Sequence, residues 1–349
     1  MTSPHKIERR KAYGGICLSE KLSEVWECYD MEIASIHKGR GIILLKTDKG
    51  LRALQPVGTS ESRLELEAQL KENLYHAGYE RIDRYIRNRE EELITCDRYH
   101  TAYVLKEYYD GWECNIRVEG DMVQAMANLA RLHRAMQKIP VDRDEKEWKT
   151  LRTVRRRNRE MKRVQNYMRQ IATKSEFDYL YLSCFEGFYH QALQVGEQLE
   201  ADQQMLMHRR RYYCHGAYHQ HNVLNCKDGM ATVNFEHFTI DNQLIDLYTF
   251  LRKAMEKNEY QAELLFTLLD TYDQSMELTP EDYRFLYYLL WYPEKFWKIS
   301  NQYNNMNKAW IPPKTYEKLE TVIRQEEKKE QLLEQYRQQY GIIVDCNRA

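Results

Sequence analysis

The stretch HGAYHQHNVL at 215–224, followed by NFE at 234–236, sets residue types in the order that phosphoryl transfer uses. That reaction asks a protein mainly for position and charge. A carboxylate takes the acceptor's proton, an amide and a second carboxylate hold magnesium, and a lysine neutralises the phosphates. His215, Gly216, Asn222 and the apolar pair Val223–Leu224 stand in register, and ATVNFEHF at 231–238 follows at the spacing of the metal-holding strand. Two positions that need a carboxylate are neutral, however: Ala217 and Asn234. Ala217 accepts no proton, and the amide oxygen of Asn234 is a weaker ligand for a hard cation than a carboxylate. Glu236, two residues beyond Asn234 and so on the same face of a strand, is the candidate replacement ligand.

Elements with clear signatures surround this loop. GRGIILLKTDKGLRALQPV (39–57) predicts a β-hairpin turning at TDKG. SESRLELEAQLKENLYHAG (60–78) spaces Leu66, Leu70, Leu74 and Ala77 as a helix, with Ser62 and Glu65 as a capping box and Gly78 as its stop. RIDRYIRN, EELITCDRYH and TAYVLKEYY supply three further strands. After DGWEC (110–114) the pattern turns helical, and Met122, Met126, Leu129, Leu132 and Met136 share one face. Residues 144–198 and 243–340 read as helices, the latter broken by the helix start LTPED (278–282) and by WIPPK (310–314). Strand signals return only at 213–238. The fold class is therefore α+β: a small β-rich lobe over 1–107 and a larger helical lobe over 108–349, forming one bilobed domain.

Composition excludes several classes. Net charge is −1, so no global field points to nucleic acid or an anionic membrane. No run approaches the length of a membrane span, and the first residues lack the apolar segment of a signal peptide. The 8 cysteines are scattered and suit reduced thiols. The histidines 215, 219, 221 and 237 with Cys214 match no zinc spacing, so no metal site is expected. The 27 tyrosines are read first as bulky amphipathic filling of helix interfaces.

The motifs HGAYHQHNVL, NFEHF and QLIDLYTFLRKAMEKNEY (215–260), with WYPEKFWKISNQYNNMNKAWIPPK (291–314), resemble those of the CotS-type spore-coat proteins of the aminoglycoside-phosphotransferase-like kinase superfamily. The resemblance implies a bilobed kinase-like fold. It also implies a protein made in the mother-cell cytoplasm, deposited on the spore coat and partnered by other coat proteins. Set against the superfamily pattern, Ala217 replaces the catalytic Asp and Asn234 the metal-binding Asp. GLRALQPV carries Gln55 where a strand normally ends in Leu-Lys. Glu67 matches the helix glutamate that pairs with that lysine, so it is expected to lack its partner. YGG (13–15) is too weak a signal for a phosphate-binding glycine loop.

Three charged parts are thus missing. Asn222, Glu236 and Glu67 mark a vestigial nucleotide cleft, ATP and magnesium are not expected as cofactors, and the reading is of a pseudokinase. An active kinase using Glu236, or a nucleotide sensor without turnover, is the alternative. Asp246 reads as structural. The basic run KTLRTVRRRNREMKRVQNYMR (149–169) reads first as a solvated helix face and second as a surface for an anionic partner. In the enzymes this superfamily contains, the corresponding insert shapes the acceptor side.

Overall fold

The computed structural model of the protein describes residues 18–141, 149–203, 211–306 and 311–344, with side chains from Leu22 onward. YGG (13–15) lies outside the described residues. The chain divides into two compact units, one from Met1–Glu72 with Ile82–Asp110, the other from Asn73–Arg81 with Gly111–Ala349.

In the first unit, helix α1 (Leu18–Trp26) precedes strands β1 (Ile33–Lys38), β2 (Ile43–Thr47) and β3 (Gly50–Pro56). Helix α2 (Glu61–His76) then leads to β4 (Tyr85–Ile86), β5 (Ile94–Cys96) and β6 (Ala102–Glu107). Every pairing is antiparallel, in the order β1-β2-β3-β6-β4, with β5 also on β6. The predicted hairpin is β2–β3, closed where Thr47 faces Gly50 at φ +103. Successive β6 residues point to opposite faces. Leu105 joins Leu22, Val25, Tyr29, Leu45 and Leu54 in one core, whereas Val104 joins Leu64, Ala68 and Leu93 in another.

Helix α2 differs from its sequence reading at two points. Its first residue is Glu61, and the Leu64 amide already donates to the Ser60 carbonyl, so Ser62 lies inside the first turn and does not cap it. Leu66 is 46% exposed, while the inward stripe is Leu64, Glu67, Ala68, Leu70, Lys71 and Leu74. The helix buries two charged side chains, and apolar spacing alone therefore picked the wrong rotation. Its end is as expected. Gly78 at φ +92 lets the Tyr79 amide reach the Leu74 carbonyl (2.9 Å), closing the helix with a left-handed cap.

The second unit contains strand β7 (Gly111–Glu113), helices α3 (Glu119–Met136), α4 (Lys149–Gln170) and α5 (Glu176–Ala201), and strands β8 (Tyr212–Cys214), β9 (Val223–Cys226), β10 (Gly229–Thr232) and β11 (Thr239–Asp241). Helices α6 (Leu244–Lys257), α7 (Ala262–Asp273), α8 (Pro280–Trp291), α9 (Glu294–Asn305) and α10 (Pro313–Tyr340) complete it. The sheets are small: β10-β9-β7 and β11-β8. All five residues of the predicted α3 face are buried.

Tyrosines tie the helices together through tethered hydroxyls. Tyr303 donates to Asp178 (3.0 Å), Tyr292 to Asn158 (2.9 Å), and Tyr336 to the Tyr283 carbonyl (3.0 Å). Each ring fills an apolar interface while its hydroxyl keeps a partner. Among the described residues, no helix is long and apolar enough to cross a membrane.

The LTPED start is built as its residues suggest: Pro280 opens α8, and Thr279 and Asp282 cap each other reciprocally. Thr279→Ala should lower stability by about 1 kcal/mol, and Thr279→Ser by much less, in urea unfolding monitored by circular dichroism.

Candidate functional site

The loop at 215–222 is held from beneath by one carboxylate. Asp246, fully buried in the first turn of α6, accepts from the His215 amide (2.6 Å) and the Gly216 amide (2.8 Å). It also faces His133 Nε2 at 3.3 Å, and His133 Nδ1 meets the Tyr272 hydroxyl at 2.8 Å. The structural reading of Asp246 holds, but its work is to orient the loop backbone rather than to cap its helix. His215 Nδ1 accepts from the Ala217 amide (3.2 Å), which leaves Nε2–H to donate to the Val233 carbonyl (3.0 Å). Gly216 has φ +76, and a Cβ there would lie 1.9 Å from the His237 carbonyl oxygen. Only glycine fits.

The structure brings Ala217, Asn222 and Asn234 together in the second unit. Asn222 Nδ2 donates to the Ala217 carbonyl (3.0 Å), and Asn234 Nδ2 donates to Asn222 Oδ1 (3.0 Å). The oxygen that Asn222 would offer a metal is thus occupied by a neighbouring amide. With a carboxylate at 234, two acceptors would face each other and need a cation between them; the amide removes that need. Asn234 takes φ 64 and ψ 64, a left-handed conformation that asparagine tolerates.

Glu236 does not lie on a strand. Asn234 ends the extended run, and Phe235–His237 form a short 3-10 turn, so alternation along a strand does not apply. Glu236 is exposed on that turn.

Gln55 and Glu67 lie in the first unit. The β3–β6 register sets Ala53 opposite Lys106, which puts Gln55 and Lys106 diagonally on one face. Lys106 Nζ donates to Gln55 Oε1 at 3.0 Å and lies 3.9 Å from Asp83 Oδ2. With Gln55 at the position of its usual partner, Glu67 takes another cation. Lys71, one helical turn on, reaches its carboxylate at 2.7 Å and that of Asp83 at 2.9 Å, with all three side chains essentially inaccessible. The Tyr85 ring lies under both ammonium groups, 4.4 Å from Lys71 Nζ and 5.0 Å from Lys106 Nζ. Burial opposes ionisation of Glu67, but Lys71 and Lys106 outweigh it and hold its carboxyl below the usual value. Burial likewise opposes charge on Lys71, and Asp83 and Glu67 together raise it above the usual lysine value.

Lys71, Asp83 and Lys106 were missed in the sequence. The signals were a lysine four residues after Glu67 and one in the middle of the apolar strand YVLKEYY.

This cluster generates a test. Lys71→Met leaves Glu67 and Asp83 short of their nearest cation and should cost about 3–5 kcal/mol. Adding Glu67→Gln should recover part of that loss in urea unfolding. Because the folded pKa of Glu67 is depressed, its contribution is present above the ordinary value of 4.5 and fades as pH falls through the lower folded value. The gap between the natural chain and Glu67→Gln should therefore close in acid.

No curated protein sequence matches the chain. Solved structures match its fold. An aminoglycoside phosphotransferase from Alicyclobacillus acidocaldarius subsp. acidocaldarius DSM 446 aligns with TM-score 0.79 at 18% identity, covering 95% of this chain and 98% of that one. A spectinomycin phosphotransferase in complex with ADP and spectinomycin gives 0.61 at 10% identity, covering 90% and 99%. Amicoumacin kinase hAmiN in complex with AMP-PNP, Ca2+ and Ami gives 0.59 at 12%, covering 90% and 94%. Identities this low carry the fold alone, and the α+β kinase-like fold expected from the sequence is the one observed. The family described as spore coat putative kinase YutH matches residues 23–336, across most of the chain, and the protein belongs to that family.

Proposed function

We propose that the protein is a catalytically silent kinase fold that serves the bacterial spore coat through contacts with other coat proteins. The observation that carries this reading is the amide pair of Asn222 and Asn234. At the two positions expected from the sequence to hold magnesium, Asn234 Nδ2 donates to Asn222 Oδ1 at 3.0 Å. Ala217 supplies no base, and loss of a general base alone costs roughly 10²–10⁴-fold in rate. Gln55 supplies no cation, and the lysine beside it is already engaged with Gln55 and Asp83. An active kinase that uses Glu236 as a substitute ligand gains no support from that residue's exposed place on a turn. The family fits synthesis in the mother-cell cytoplasm followed by deposition on the coat.

Purified protein should release no phosphate from magnesium–ATP above a protein-free blank, with or without candidate acceptors. Magnesium-dependent turnover by the natural chain would overturn the reading. Restoring the charges is a second test. Gln55→Lys alone would set two ammonium groups side by side, so it needs Lys106→Met, together with Ala217→Asp and Asn234→Asp. That variant should gain nucleotide binding in calorimetry but little turnover, since a misplacement of about 1 Å can cost ~100-fold.

A further inference from the structure

Beside Gly216 and Ala217, within the second unit, lies a cavity of about 510 Å³. Its charge is lopsided. Lys149 and Arg157 from α4, Arg252 and Lys253 from α6, and Lys298 from α9 line it, against two carboxylates, Asp241 and Glu294. Glu294 is shared, pairing with Arg157 and, at 3.3 Å, with Lys298. Arg252 takes Glu256 as its partner. Lys149 donates to Thr239 Oγ1 (3.3 Å) and the Ile240 carbonyl (3.4 Å), among other contacts. Lys253 makes no ion pair or hydrogen bond among the described residues.

Two further observations mark a shortage of acceptors. The Nε–H groups of Arg157 and Arg252 are buried without a hydrogen-bond partner, and Arg252 is only 9% exposed. Buried donors normally find an acceptor. Burial, with Arg252 and Lys298 adding repulsion, pulls the Lys253 ammonium down to about 8. Burial and the neighbouring Lys253 pull His219 to about 3, so its imidazole is neutral and adds no charge of its own.

We propose that this cavity binds a small organic oxyanion: a phosphate or carboxylate group on a metabolite-sized frame. An anion entering it relieves the crowding of cations and gives Lys253 a partner. The volume lies within the range of small-molecule sites, roughly 300–1,000 Å³. The cavity also offers apolar surface for the frame. Trp297, fixed by its Nε1–H on Glu160 (2.8 Å) and lying 4.0 Å from the Arg157 guanidinium, forms part of the wall. A carboxylate at 217 would repel such a ligand, whereas Ala217 does not. The inference does not depend on catalytic silence, because it concerns binding alone.

The test is calorimetric titration of the full chain with glucose 6-phosphate, inorganic phosphate and citrate, at ionic strength held constant with sodium chloride. At least one should bind saturably with one site per chain. Lys253→Met and Lys298→Gln should each weaken that binding about tenfold, the worth of one charge-assisted contact. Lys298 is half exposed, so its variant should keep the fold, which circular dichroism checks. Binding of the phosphate-bearing probes alone assigns a phosphate subsite, binding of citrate alone a carboxylate subsite, and binding of both the shared oxyanion chemistry. If none of the three binds, or if both variants bind as tightly as the natural chain, the proposal is overturned.

Discussion

Glu67 and Asp83 are carboxylates with almost no access to water, and the first unit tolerates them because Lys71 and Lys106 reach them from α2 and β6. An unpartnered buried charge costs several kcal/mol, so their placement constrains α2, β3, β4 and β6 together. The α2 rotation must turn Glu67 and Lys71 inward at the expense of Leu66. The β3–β6 register must set Gln55 beside Lys106, and β4 must lay Tyr85 under both ammonium groups. Two lysines and two carboxylates make a neutral group. In phosphoryl transfer, the strand lysine works on the phosphates of a nucleotide. Here the lysines are committed within the unit itself.

The second unit follows the same logic with neutral groups. Asp246 and Gly216 fix the backbone of the loop, through two short amide hydrogen bonds and a left-handed conformation. The chemistry-bearing positions on that scaffold have changed. Ala217 contributes its backbone amide and carbonyl but no acidic side chain, and Asn234 donates to Asn222, which donates in turn to the Ala217 carbonyl. The loop backbone is fixed while its polar side chains bond to one another. Beside it, Lys253 lines the neighbouring cavity without an ion pair or hydrogen bond among the described residues.

Much of this was legible in the sequence because it depended on local rules. The hairpin at 43–56, the capped start at Thr279–Pro280, the left-handed stop at Gly78 and the α3 face each follow from neighbours within a few residues. The loop at 215–222 was legible because its backbone demands Gly216 and its histidine, whatever the chemistry. What was not legible depended on pairs distant in sequence. Spacing favoured Leu66 as the buried residue, and only a lysine on β6 and an aspartate before β4 explain why Glu67 and Lys71 displace it. Glu236 was assigned to a strand that ends at Thr232, ahead of the left-handed Asn234, a change of direction that alternation does not reveal. The cavity gathers cations from α4, α6 and α9, spread between residues 149 and 298, and of these only Lys149 and Arg157 of α4 belonged to a run that read as basic.

The buried carboxylates of the first unit and the amides of the second are satisfied by the chain's own side chains, so neither nucleotide nor metal should add stability. Thermal unfolding of the natural protein across a titration of ATP, with and without magnesium, tests it most directly. The midpoint should be independent of both. A saturable, magnesium-dependent rise at submillimolar ATP would contradict it. A working pocket at a hundred times its dissociation constant would add roughly 2.7 kcal/mol of stability.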